Sequence, residues 1–232
     1  MDVVEVITSE LLVIYGKGYS SNAVIIKKND DEVIVVDPGM PDNISRVVQA
    51  IKRITKDGLR KVILSATHEH YDHIGGFAEL CRRVRCEIYV SKSTADVLKA
   101  GDDIISVAYL FNANLESIQV QKVIKEGDCI NSAIGDFVVI ETPGHTIGSI
   151  CFYNKPHKIL ISGDTVFPHG GFGRVDLHTG NIKMLKSSIE KLSSLDVEIL
   201  IPGHGRVIKN DGKRHVLLSF ENVKKFSDVG NA

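Results

Sequence analysis

With 232 residues, 43% of them hydrophobic, the chain is long enough to bury a sizeable core and is expected to form one domain over 1–232. A formal net charge of −1 gives no electrostatic reason to expect nucleic acid or an anionic membrane surface as a partner. No apolar run approaches bilayer length, and Met1-Asp2-Val3-Val4 lacks a cationic segment followed by an apolar stretch, so a cytoplasmic protein acting on a small molecule is expected.

Residues 1–40 read as a β-meander. Strands at 3–7, 11–15, 22–27 and 32–36 are rich in β-branched residues and separated by Gly16-Lys17-Gly18 and Asn29-Asp30-Asp31. Asn22 is either a group near the active site or a structural residue. Pro41-Asp42-Asn43 then offers a helix start, and Ile44, Val47, Val48, Ile51 and Ile54 give a helical stripe ending before Gly58. A buried strand at 62–64 runs into a polar loop at 67–76, followed by a helix through Phe77, Leu80 and Cys81. A strand at 86–90 comes next, and Ser91 can cap another helix to Lys99. Residues 101–115 have no clear period; they are either a pocket wall or lid, or a spacer. From 118 the β pattern returns at 119–124, 129–130, 137–141, 149–152 and 158–161. Asn181 begins a long helix with Met184, Leu185, Ile189 and Leu192 on one face. After a strand at 198–200, residues 210–227 read as a closing helix. The four cysteines fall in no CxxC pattern; reduced thiols are expected, with a Cys81–Cys86 disulfide as the alternative.

The loop at 67–76 reads Thr-His-Glu-His-Tyr-Asp-His-Ile-Gly-Gly, placing three of the nine histidines within six positions. It leaves the carboxyl end of a strand, where α/β folds place ligands. Imidazole and carboxylate suit Zn²⁺, Fe²⁺ or Mn²⁺. Alternation along an extended loop lets His68 and His70 grip one ion, while Asp72 and His73, beyond a bend, face a second. Glu69 and Tyr71 then point the other way. Three more strand ends each deliver one donor into a small-residue turn: His145 after 137–140, Asp164 after 158–161 and His204 after 198–200. Asp37, after 35–36, has the same form and reads as a group that holds a ligand or loop by hydrogen bonds.

The set Asp37, His68-x-His70-x-Asp72-His73, His145, Asp164 and His204, in this order, resembles the metallo-β-lactamase-fold hydrolase superfamily over about residues 10–207. Gly163-Asp164-Thr165-Val166-Phe167 leading to Gly173-Arg174-x-Asp176 is similar to its glyoxalase II (hydroxyacylglutathione hydrolase) branch. The resemblance implies an αββα sandwich, two mixed sheets face to face with helices outside and the donor loops at one edge. It implies two divalent ions, zinc in the first instance with iron or manganese as alternatives. His68, His70 and His145 would hold one, Asp72, His73 and His204 the other, and Asp164 would bridge. Two such ions activate water against a carbonyl carbon, with Asp72 relaying a proton to the leaving group.

The expected substrate is a small acyl thioester. The branch grips glutathione with a basic C-terminal extension, and here only twenty-eight residues follow His204. Arg174 is the candidate for substrate binding, or else a salt-bridge partner of Asp176. His169 and His178 flank the same stretch and are candidates for the pocket wall. The rival readings are a persulfide dioxygenase-like enzyme with a single iron, and a lactonase or β-lactamase-like hydrolase.

Overall fold

In the computed structural model, which describes residues 4–55 and 58–229, two mixed sheets lie face to face and helices cover both outer faces. The first sheet runs in sequential order from β1 (Val4–Thr8), β2 (Leu11–Ile14), β3 (Ala23–Lys27) and β4 (Glu32–Val36) to β5 (Lys61–Ser65), β6 (Cys86–Val90) and β7 (Lys122–Val123). Its first four strands are antiparallel, as tight turns allow, and from β4 onward they are parallel. The parallel connections are helical: α1 (Ile44–Thr55), α2 (Tyr71–Ile74) with α3 (Phe77–Arg83), and α4 (Lys92–Ala100). The second sheet comprises β8 (Cys129–Ile130), β9 (Phe137–Glu141), β10 (Ile150–Asn154), β11 (Ile159–Gly163) and β12 (Ile199–Pro202). Helix α5 (Ile182–Leu192) makes the β11–β12 crossover, and α6 (Gly212–Val229) closes the chain.

Alternation along the strands explains the layers. On β4, Val33 and Val35 face a core shared with α1, α3 and α4, while Ile34 and Val36 face the core between the sheets. On the far side, Cys151, Tyr153 and Leu160 pack with Leu185 and Ile189 of α5 and with Val216 and Val223 of α6.

The expected elements form, with differences that have local causes. Position 3, the expected start of the first strand, and positions 56–57, before Gly58, lie outside the described residues. Pro41–Asn43 is a 3-10 turn ahead of α1, because Pro41 presets the first helical φ but supplies no amide. The expected 119–124 strand shrinks to Lys122–Val123 and pairs with β6 of the first sheet, although it lies in the second half of the chain. The second half of the chain thus supplies the edge of the first sheet. All four cysteines are free.

Candidate metal centre

Strand pairing brings the donor loops together. Val36 pairs with Ser65 across the parallel β4–β5 ladder, so the loops that follow, with Asp37 and Thr67–His73, leave the sheet side by side. Gly163 pairs with Pro202 across β11–β12, which sets Asp164 beside His204. The β9–β10 hairpin carries His145 at its tip, and the Ile150 amide donates to the Thr67 carbonyl at 2.7 Å, tying that hairpin to the histidine loop.

The histidine loop bends over Thr67–Glu69, is extended at His70 and then turns into α2, so Asp72 and His73 project from a helical turn. His68, His70 and His145 converge within metal-ligand spacing, as do His68, His73 and Asp164, and Asp72, His73 and His204. All seven expected donors thus meet in one place, and the cluster shows which of them share a neighbourhood. His145 Nε2 lies 3.0 Å from His70 Nδ1, His204 Nε2 lies 3.0 Å from Asp72 Oδ2, and His73 Nε2 lies 3.4 Å from Asp164 Oδ1.

The surroundings fix these side chains. Asp37 accepts from the Thr67 amide and hydroxyl, both at 2.7 Å, and its Oδ2 lies 2.9 Å from His73 Nδ1, too oblique for a good hydrogen bond. The expectation that Asp37 supports the loop matches this geometry. His145 Nδ1 donates to the Arg174 carbonyl at 2.7 Å, which turns Nε2 towards the cluster. Asn22 stands behind the site: its amide side chain donates to the carbonyls of Pro202 and Gly205, holding the turn that carries His204.

Glu69 points away from the donors, as the alternation predicts, but not into solvent. It is fully buried and accepts from the hydroxyls of Ser93, Thr94 and Thr146 and from the Gly148 amide. It therefore links the histidine loop, α4 and the His145 hairpin. Sequence reasoning missed this role, since its partners lie up to 79 positions away and carry no motif. Tyr71, the other residue expected to face away, is buried and stacks on Phe111 at 5.8 Å between centroids.

Charge is balanced unevenly across the cluster. Burial, reinforced by His73 and His145, holds His68 well below the usual imidazole range. Burial and His145 hold His70 down at about 3. Burial opposes the proton on His73, but Asp37, Asp164 and Asp72 outweigh it and raise that imidazole well above its ordinary value. Burial would raise Asp72 and Asp164, yet His73 lowers both.

A divalent ion fits this donor set on three grounds. Nitrogen and oxygen donors of this kind suit borderline cations. His68 Nε2, His73 Nε2 and Asp164 Oδ1 are buried with no hydrogen-bond partner, the state of atoms that await a ligand. The approach is also too close for a Cβ: one added at Gly203 would lie 2.1 Å from Asp164 Oδ1, and one at Gly173 would lie 2.8 Å from the His145 ring.

Residues 16–204 match the family model described as the metallo-beta-lactamase superfamily. The chain belongs to the metallo-β-lactamase superfamily. It is a hydrolase of that family, and its relatives agree with a glyoxalase II-like branch. It is 32% identical over 208 residues to a probable metallo-hydrolase of Methanocaldococcus jannaschii (MJ0888), covering 85% of this chain and 93% of that one. It is 30% identical over 185 residues to a hydroxyacylglutathione hydrolase of Bdellovibrio bacteriovorus, covering 79% of this chain and 62% of that one. Among solved structures it superposes on the BLEG-1 B3 metallo-beta-lactamase with a TM-score of 0.75 at 25% identity, covering 87% and 94% of the two chains.

Around the centre of this metallo-β-lactamase-fold hydrolase, the Arg174 guanidinium is paired in a two-bond fork with Asp176 at 2.7 and 2.6 Å, on the surface. The salt bridge anticipated as the alternative for Arg174 is therefore present, and its carbonyl is what touches the donor set. His169 lines a cleft of about 630 Å³ with Phe167, Pro168, His204, Arg206 and Val207 among its walls. The His169 amide donates to His215 Nδ1 at 2.8 Å, which pins this wall to α6. His178 instead meets Tyr109 edge-on at 6.4 Å. Among the described residues no helix is long and apolar enough to cross a membrane.

Proposed function

We propose that the chain hydrolyses an acyl thioester with the help of two divalent ions, zinc in the first instance. His68, His70 and His145 would hold one ion, Asp72, His73 and His204 the other, and Asp164 would bridge them. The observation that carries this reading is the convergence of the seven side chains with three buried donor atoms left unsatisfied. Likeness to a hydroxyacylglutathione hydrolase supports the choice of a thioester. When bound, the ions would supply Lewis acidity at the carbonyl oxygen and lower the pKa of water from about 16 towards about 7.

The chain's own part is orientation and proton transfer. The Arg174 carbonyl keeps the His145 proton on Nδ1, so that Nε2 remains a ligand. Asp37 holds His73 from behind. Asp72, aligned by His204 at 3.0 Å, is the residue that relays to the leaving group the proton given up by the attacking water. A thiolate needs little of that help. The cleft beside His204 is the proposed leaving-group side, and Arg174, with Asp176 its partner at rest, is the proposed contact for a polar group of the substrate.

The deciding experiment is metal analysis of the purified protein followed by a panel of thioesters, lactones, β-lactams and persulfides. Two ions per chain and metal-dependent thioester cleavage are expected. One iron per chain with sulfite formed from a persulfide would replace this reading with a dioxygenase.

A further inference from the structure

The segment between α4 and β7 holds three large apolar side chains in solvent: Ile104, Tyr109 and Leu110 are 53%, 47% and 54% exposed. It borders the donor cluster. The Tyr71 amide, between His70 and Asp72 in the chain, donates to the Ser106 carbonyl at 2.8 Å. Tyr109 meets His178 edge-on. The exposed Ile147, two residues after His145, is tied by its amide to Thr179 Oγ1 at 3.2 Å. An apolar rim thus lies on the side of the cluster that carries His70 and His145.

The backbone here is costly. Val107 is buried and β-branched, yet sits in the left-handed region at φ 55°, and Asn112 at φ 52° closes the 3-10 turn Ala108–Phe111. The buried Ser106 hydroxyl has no hydrogen-bond partner. A spacer gains nothing from such strain or from apolar groups held in water, whereas strained turns that present side chains cluster at ligand clamps.

We infer that the 104–112 turn is the wall against which the acyl chain of the substrate lies, so that this hydrolase prefers thioesters of unsubstituted alkyl acids several carbons long. The inference rests on the thioester reading above. The two arms of the substrate part on opposite sides of the centre. The thiol arm leaves past Asp72 and His204 into the 630 Å³ cleft. The acyl arm turns towards Tyr109, Leu110 and Ile147, none of which carries a charge.

The test uses the metal-loaded full chain and two series of thioesters. One lengthens the acyl group from acetyl to decanoyl on a fixed thiol; the other keeps acetyl and lengthens an alkyl thiol. In the acyl series kcat/KM is expected to rise roughly two- to fourfold per methylene, the factor for burying one CH₂, until the wall is covered. The thiol series is expected to rise less steeply. In Leu110→Ser and Tyr109→Ala the acyl slope should flatten while bound metal stays at the wild-type level. A flat acyl slope in an active wild type, a steeper thiol slope, or a slope that survives both substitutions overturns the inference.

If no thioester is cleaved, the functional reading fails, and the wall is judged by calorimetry with the metal-depleted protein. Affinity for the free carboxylates should still rise two- to fourfold per methylene and lose that dependence in Leu110→Ser. Length-independent binding there would overturn the wall as well.

Discussion

Asp37 holds a left-handed backbone at φ 53°, a conformation that asparagine also tolerates, so Asp37→Asn removes charge with little backbone cost. His73 then loses a carboxylate 2.9 Å away. Affinity for the more weakly held ion is expected to fall about 10–100-fold, as when groups behind metal ligands are changed; chelator competition measures it. Asp164→Ala acts on both proposed sites, since Asp164 faces His73 at 3.4 Å and His145 at 3.7 Å. Metal content is expected to fall to one ion or none, and unchanged stoichiometry by elemental analysis would remove the bridging role. Away from the centre, burial pushes the Cys151 thiol up to about 11 from an ordinary 9.0. Because the folded value is raised, the stability linked to Cys151 is whole below pH 9 and is lost as pH rises through 11. That loss is ~3 kcal/mol at 1.36 kcal/mol per unit. Denaturant titrations of wild type and Cys151→Ala at pH 8 and pH 11, where the folded thiol is half ionised, should differ by ~2 kcal/mol in their pH dependence.

At the scale of elements, most of the strands and helices were legible because two periodicities separate cleanly. Residues 32–36 form β4 as read, and the stripe from Ile44 to Ile51 lies on α1. The positions of His145, Asp164 and His204 were legible for the same reason, each in a turn that follows an apolar strand, whereas Asp72 and His73 stand on the short helix α2. Pairing was not legible. That β7 would cross to the first sheet depends on two residues meeting β6, and that Glu69 would reach Thr146 and Gly148 depends on where the β9–β10 hairpin falls. Arg174 shows the same limit, since the atom that meets His145 is a backbone carbonyl, which has no residue signature. The Glu69 network yields a prediction for the joint between elements. Glu69→Ala leaves three hydroxyls and an amide without their buried acceptor. A loss of ~3 kcal/mol or more is expected by denaturant unfolding, given ~1–3 kcal/mol for each unsatisfied buried group. Glu69→Gln, which keeps one acceptor oxygen and presents an NH2 to hydroxyls that can turn to accept, should recover part of it.

For the molecule as a whole, the donor loops come from both sheets, so whatever sits among them joins the two layers. His68, His73 and Asp164 are buried or nearly so, and they carry the unsatisfied atoms of the cluster. In the metal-free protein those atoms are desolvated without a partner. Filling the centre therefore stabilises the fold by more than local contacts. For one ion in thousandfold excess over its dissociation constant the gain is ~4 kcal/mol. For a chain of this length each kcal/mol moves the midpoint by about 2–4 °C. Exhaustive chelation is thus expected to lower Tm by about 8–16 °C, with recovery on adding back zinc. The drop should be largely absent in a variant lacking donors on both sides, such as His70→Ala with His204→Ala. If chelation left Tm unchanged in wild type while metal analysis showed the ion removed, the loops would be held by their hydrogen bonds alone. The convergence of the seven side chains would then owe nothing to a metal.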